Sequence, residues 1–220
     1  MTTLDEQRTS RAKGHRWFAA VYDLMAAPEE RRFMGNVRAE LAGGAQGKVL
    51  EIGAGTGLNF PYYRNDAEVI ATEPDPYMRQ RAQGRLAESR KRIDLREASA
   101  EELPFESDSF DTVVGTLVMC SVPHPQRALA EIRRVLKPGG EYRFYEHVRY
   151  ESAFGAFWQD AVLPVWRWFA AGCHPNRNTV QAIKDAGFSI TQLQKTKPLP
   201  PVPPMIFSRL HVKGIARSPD

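Results

Sequence analysis

At 220 residues the chain is long enough for one well-buried α/β core and too short for two comfortable domains. Hydrophobic content of 42% and charged content of 25% are those of an ordinary soluble globular protein, and the net charge of +4 comes largely from arginines at Arg31-Arg32, Arg79 to Arg92 and Arg133-Arg134. Those arginines fall at outward positions of predicted helices, which favours solvated faces over nucleic-acid binding. Two cysteines, Cys120 and Cys173, with no CxxC and no Cys/His spacing suited to zinc, speak against a structural metal. The polar start Met1 to Gln7 and the lack of any window of about 18 uncharged apolar residues lead us to expect a cytoplasmic protein without a spanning helix.

In chain order, residues 1–14 are polar, and Trp17, Phe18, Val21, Tyr22, Leu24 and Met25 then recur at helical spacing. Pro28 predicts the start of a second helix through Phe33, Met34 and Val37 to Leu41, stopped by Gly43-Gly44. From Val49 the pattern alternates: strand 48–52, helix 57–63, strand 68–73, helix 76–90, strand 92–96, strand 110–116, helix 124–136 and strand 141–147. An aromatic segment, Phe154 to Phe169, carries Trp158, Trp166 and Trp168 on a helical repeat broken by Pro164. Helix 176–186 and strand 188–195 follow. The prolines at 198, 200, 201, 203 and 204 demand an extended loop, and 205–216 alternates as a last strand hairpinned to the one before. Short apolar strands alternating with helices imply a mostly parallel sheet with helices on both faces.

The densest chemical signal is Val49 to Gly57, a buried strand ending in Gly53-Ala54-Gly55-Thr56-Gly57. The glycines let the backbone turn sharply and approach a ligand closely. Glu73 closes the next apolar run, twenty-two residues after Glu51, where a carboxylate can accept hydrogen bonds from two ribose hydroxyls. A dinucleotide loop needs a third glycine where Leu58 stands and a phosphate-friendly surface where Glu51 stands. S-adenosylmethionine carries an ammonium and a sulfonium and no phosphate, so an acid beside the loop suits it.

These residues, with Glu73-Pro74-Asp75, Ala98 to Phe105, Ser109 to Val114 and Leu136-Lys137-Pro138-Gly139-Gly140, resemble the ordered motifs of class I S-adenosylmethionine-dependent methyltransferases over roughly residues 17–216. The resemblance implies a Rossmann-like, mostly parallel seven-stranded sheet with an antiparallel last strand. It implies one domain: an N-terminal helical lid over 1–45, a cofactor core over 46–150, and a substrate-side helical insertion with a C-terminal hairpin over 151–220. The cofactor set it implies is Tyr22, Glu51, Gly53, Ala54, Gly55, Gly57, Asn59, Glu73, Pro74, Met78, Ser99, Ala100, Glu101, Thr116, Leu117 and Cys120. Many relatives have an aspartate where Ser99 stands; a serine hydroxyl accepts the adenine amino group more weakly. Thr116 to Val122, Glu146-His147-Val148, Phe157-Trp158-Gln159 and Gly172-Cys173 are similar to the methyltransferase-like 7 family, the alkyl-thiol S-methyltransferases. Members carry an apolar N-terminal anchor that this sequence does not show, so membrane residence is not expected to transfer.

The implied reaction is methyl transfer from S-adenosylmethionine to a small apolar acceptor, a thiol first, a phospholipid amine or quinone-type phenol as the alternative, or cofactor binding without turnover. A thiol with a pKa near ~8.5 is partly ionised at neutral pH and needs no strong base. At the carboxyl edge of the sheet, His147 is the candidate base or orienting group, against a structural hydrogen bond to a neighbouring loop. Glu146 points to the other face and suits structural pairing. Cys120 suits packing beside the cofactor, and Cys173 beside His174 has no evident partner. Tyr22-Asp23 resembles the pair that relatives fold over the cofactor, against ordinary core packing by Tyr22. The tryptophan segment fits a roof over an apolar pocket, against plain core or a weak membrane-surface contact near Arg167. No metal is expected at the site, and the protein is expected to act as a monomer or homodimer.

Overall fold

The computed structural model describes residues 16–89, 91–198 and 205–219. Its strands are β1 (Lys48–Ile52), β2 (Glu68–Thr72), β3 (Ile93–Arg96), β4 (Phe110–Thr116), β5 (Leu136–His147), β6 (Ser189–Thr196) and β7 (His211–Arg217). They form one seven-stranded sheet in the order β3-β2-β1-β4-β5-β7-β6. Pairing is parallel from β3 through β5, and β7 runs antiparallel to both β5 and β6. The expected architecture therefore holds, with the antiparallel last strand inserted between β5 and β6.

The period-two alternation of the strands divides the core between two faces. Leu50, Ile52, Val113, Tyr142 and Phe144 pack on one side with residues of α4 (Pro125–Val135) and α6 (Thr179–Asp185). Val49, Val69, Ala71, Val114 and Tyr145 pack on the other with α2 (Gly35–Leu41) and α3 (Pro76–Ser89). The α4 residues Ala128, Leu129, Ile132 and Val135 are fully buried at one-face helical spacing while Arg133 and Arg134 lie outside the core. Two further helices, α1 (Arg16–Glu29) and α5 (Ala153–Phe169), border the carboxyl edge of the sheet. Because β1 is followed by β2 on one side and β4 by β5 on the other, a crevice opens at the carboxyl ends of β1 and β4, where open α/β sheets take ligands.

Several elements differ from the sequence-based expectation. No helix spans 57–63: Gly57 sits at φ +80 and Pro61 follows, so only a 3₁₀ turn forms at Phe60–Tyr62. Pro28 does not start a helix; α1 runs through it and widens into a π turn, Glu30–Met34, before α2. The segment around Pro164 is not broken, since α5 is a continuous 17-residue helix. Helix α6 starts at Thr179, later than 176, because the Asn178 side chain caps it by accepting from the Gln181 amide at 3.4 Å. Strand β5 begins at Leu136, with a register shift that loops out the Lys137–Gly140 turn, and β7 begins at His211 after a 3₁₀ turn at Met205–Phe207. Of the proline run, 199–204 lies outside the described residues, as do residues 1–15. Among the described residues no helix is long and apolar enough to cross a membrane.

Candidate active site

The glycine loop leaves β1 with Gly53, Gly55 and Gly57 all at positive φ. At Gly53 a side chain would meet Val118 Cγ2 at 2.9 Å, so the loop lies hard against the turn after β4. At Gly55 a side chain would meet nothing within 4 Å, so the backbone there borders open space that a ligand can enter. The loop is tied to the neighbouring strand: the Ala54 amide donates to Thr72 O at 2.9 Å and the Gly55 amide to Glu73 Oε2 at 2.7 Å. The Asp75 amide donates to Glu73 Oε1 at 2.8 Å, so each Glu73 oxygen holds one backbone donor and keeps lone pairs for others. Burial raises the Glu73 pKa, the two amide donors working against that rise.

Behind the loop lies a buried polar chain. Asn59 Nδ2 donates to Glu51 Oε1 at 2.9 Å and to Thr116 Oγ1 at 3.1 Å, and Asn59 Oδ1 accepts from Arg38 Nη1 at 2.7 Å. Arg38 in turn pairs with Glu30 at 2.5 Å. Glu51 is 2% exposed, yet its Oε2 has no hydrogen-bond partner. The Tyr63 hydroxyl is near enough to lower the Glu51 pKa but does not complete a hydrogen bond, and desolvation prevails, pushing that pKa up to about 7. A buried carboxylate oxygen lacking a donor, beside a loop with open space at Gly55, fits the ammonium of S-adenosylmethionine in charge and in hydrogen-bonding need.

The remaining candidate cofactor residues surround this centre. Pro74 leads into α3, which Asp75 caps by accepting from the Tyr77 and Met78 amides at 2.8 and 3.2 Å, leaving Met78 buried in the first turn. Ser99 Oγ accepts from the Glu101 amide at 3.2 Å, Ala100 is buried, and Glu101 accepts from the His124 amide. From α1, Asp23 accepts from Thr56 Oγ1 at 2.6 Å and from Arg85 at 3.0 Å, and Arg85 also donates to Thr56 O. Tyr22 meets Phe18 in a tilted ring contact at 5.4 Å and lies close enough to Arg38 to act on it electrostatically. Arg38, Glu30 and Arg85 carry no motif; Arg85 lies in a run that reads as a solvated face, and only the fold turns it to the loop.

At the other end of the crevice, Leu117 takes a positive φ of 60 and donates to Tyr145 O at 2.7 Å, bending the chain sharply after β4. The turn that follows is built on Glu146, fully buried, whose oxygens accept from the Val118, Met119 and Cys120 amides at 2.8, 2.8 and 3.1 Å. This is the structural pairing its place on the strand suggests. His147 turns its Nδ1 to Cys120 Sγ at 3.4 Å and to Cys173 Sγ at 3.7 Å, and its ring packs on His211 at 4.3 Å. The structure thus supplies the partner for Cys173 that its sequence neighbours did not. Hydrogen bonding with Cys173, and after it burial, push the Cys120 thiol up, and the same contact draws the Cys173 thiol down.

Helix α5 shows most of its aromatic surface to solvent: Phe154 is 77% exposed, Phe157 64% and Trp168 84%. Trp17 on α1 meets Phe169 edge-on at 6.0 Å and extends the same apolar face. The helix is held by the buried Gln159, whose Nε2 donates to Val148 O, Pro175 O and Phe207 O at 3.2, 3.1 and 3.0 Å while its Oε1 accepts from the Tyr150 amide at 2.8 Å. Phe154, Phe157 and Trp168 therefore do not line an enclosed pocket; Trp166, with a buried indole nitrogen beside Cys173, is the tryptophan turned inward. A separate groove of about 1110 Å³ between α4 and α6, lined by Gln126, Arg133, Gln181 and Asp185 among others, does not touch the glycine loop.

Fold, glycine loop and paired acids together define a class I methyltransferase, and residues 50–144 match the model of the methyltransferase domain family. A solved Thermotoga maritima protein described as an S-adenosylmethionine-dependent methyltransferase, possibly a histamine N-methyltransferase, superimposes with a TM-score of 0.68 over 92% of this chain and 97% of its own, at 21% identity. Human thiol S-methyltransferase TMT1A is 37% identical over 185 residues, covering 80% of this chain and 74% of its own length. A phosphatidylethanolamine N-methyltransferase from Cereibacter sphaeroides is 34% identical over 138 residues, 60% of this chain and 64% of its own. The protein is an S-adenosylmethionine-dependent methyltransferase, and it belongs to the methyltransferase-like 7 family that contains TMT1A.

Proposed function

We propose that the enzyme S-methylates a small apolar thiol in a crevice whose cofactor end is Glu51, Gly55 and Glu73. S-adenosylmethionine supplies an activated methyl group on a sulfonium, ready for in-line displacement. Glu51 Oε2 receives its ammonium, Glu73 its ribose hydroxyls, and Pro74, Met78, Ser99, Ala100 and Glu101 border the adenine. The helices before residue 45 act as a lid, with Asp23 fastened to Thr56. Residues 46–150 form the cofactor core of a single domain and 151–220 the acceptor side.

The observation that carries the choice of a thiol is the acceptor end itself, taken with the 37% identity to a thiol S-methyltransferase. Glu146 is engaged by three backbone amides and His147 faces two sulfurs, so neither is placed as a strong general base for a poorly acidic acceptor. A thiolate is a strong nucleophile towards carbon, and the attacking lone pair on its sulfur forms the new S–CH3 bond as the bonding pair returns to the donor sulfur and the S–H proton passes to solvent. We assign His147 to orienting the acceptor and not to proton removal. A phospholipid amine is the second reading, supported by the Cereibacter relative and by the exposed aromatic face of α5, which suits a weak membrane-surface contact.

The test is incubation of the purified enzyme with S-adenosylmethionine and ethanethiol, reading S-adenosylhomocysteine and the methyl thioether by mass spectrometry. Both products are expected in equal amounts. Cofactor binding with methylation of phosphatidylethanolamine alone would replace the thiol reading with the second.

A further inference from the structure

Three soft donors converge beneath the acceptor end. Cys120 Sγ, Cys173 Sγ and a ring nitrogen of His147 all lie within 4.8 Å of one another, and among the described residues no other group of three His, Cys, Asp or Glu side chains does so. Nδ1 stands 3.4 Å from one sulfur and 3.7 Å from the other. A tetrahedral zinc ion, with Zn–S of about 2.3 Å and Zn–N of about 2.05 Å, holds its sulfur and nitrogen ligands about 3.5 Å apart. The two nitrogen–sulfur edges of the trio already match that polyhedron.

Each donor is fixed by its own segment. Cys120 is held through its amide on Glu146, Cys173 through its amide on Ala170 O at 3.0 Å, and the next residue, His174, donates to Cys120 O at 2.6 Å. His147 closes β5 with its ring against His211. The guanidinium of Arg177 is near enough to act electrostatically on Cys120, Cys173 and Glu146. Cys120 has no exposed surface, whereas Cys173 keeps 6% and His147 9%, so any opening lies on their side. The ligands are spaced 27 and 26 residues apart, which is why no zinc pattern is visible in the chain.

We propose that Cys120, His147 and Cys173 bind one zinc ion and leave its fourth position to a thiolate. Binding releases the two cysteine protons to solvent. Resting on the thiol reading above, the fourth ligand is the acceptor, whose S–H proton also passes to solvent as its sulfur joins the metal. Methyl transfer then forms the S–CH3 bond, returns the C–S⁺ bonding pair to the donor sulfur, and leaves a neutral thioether that zinc holds poorly.

The test is titration of chelator-treated full-length protein with cobalt(II), a spectroscopic stand-in for zinc. One equivalent is expected to raise tetrahedral d–d bands and thiolate-to-cobalt charge transfer, zinc to erase them, and ethanethiol to shift them. Cys120→Ala and Cys173→Ala should each abolish the charge-transfer band, with S-adenosylmethionine titration retained in Cys173→Ala. Cobalt that binds without thiolate bands, or a Cys120–Cys173 disulfide in the mass of the unreduced protein, overturns the site; bands indifferent to ethanethiol overturn the open position. Methylated thiol at full rate from metal-free protein sinks the zinc and spares the methyltransferase reading. Cobalt bands in a protein that methylates no thiol do the reverse.

Discussion

The two ends of the crevice are held together differently. At the cofactor end, the glycine loop is joined to the neighbouring strand by the Ala54 amide on Thr72 O and the Gly55 amide on the Glu73 carboxylate, with a polar chain from Glu51 through Asn59 and Arg38 to Glu30 packed behind. At the acceptor end, one buried carboxylate, Glu146, shapes the turn after β4, and sulfurs from separate segments close on His147. The first end is cross-linked by hydrogen bonds without any ligand and keeps one unmet demand, Glu51 Oε2. The second relies on few anchors, so single substitutions there should cost fold stability, while those at the first should cost cofactor affinity.

The largest expected effect tests that division most severely. Glu146→Ala strips the acceptor from three buried amides and should destabilise the fold by about 3–5 kcal/mol in urea denaturation; a loss confined to cofactor affinity would erase the distinction. Next comes Glu51. Its folded pKa, about 7, lies above its ordinary value of 4.5, so it contributes stability that is fully present below about pH 4.5 and is lost as pH rises through 7. The ligand-free protein should lose about 3 kcal/mol over that window, and Glu51→Gln should flatten the loss. Cofactor affinity should run the other way, tightening as pH rises through 7, because only the ionised carboxylate pairs with an ammonium; calorimetry at pH 6, 7 and 8 reads the sign.

Glu73→Ala should weaken S-adenosylmethionine binding at least tenfold, about 1.4 kcal/mol, and an unchanged titration curve would remove the ribose assignment. The smallest effect is expected at Trp168→Ala. At 84% exposure it should shift stability by no more than about 0.5 kcal/mol. A raised KM for an apolar acceptor at unchanged cofactor affinity would assign the α5 face to the second end, and no change in KM would leave that face outside catalysis.

The same contrast explains what could be read in the residue order. The glycine loop and Glu73 belong to one strand-turn-strand unit whose geometry follows from neighbours in sequence, and the sheet with its antiparallel β7 follows from strand alternation. Helix 57–63 failed because Gly57 at positive φ and Pro61 set the backbone there. Helix α5 survives Pro164 because most of it is exposed and its grip on the fold comes from Gln159, five residues upstream. Arg38 and Glu30 could not be tied to Asn59 without knowing that α2 packs behind β1. Cys120, His147 and Cys173 look inert alone, and only the return of the chain after α5 brings the third to the other two.

Gln159 has a chemical consequence of its own. A single side-chain nitrogen shares its two N–H groups among three carbonyl oxygens, from the end of β5, the loop at Pro175 and the turn at Phe207. Hydrolysis of that amide, or Gln159→Glu, would set a carboxylate against three acceptors and turn attraction into repulsion at the place where α5 joins the sheet. The acceptor side would loosen while the glycine loop stayed intact, so an aged or deamidated sample would hold its cofactor and lose its turnover.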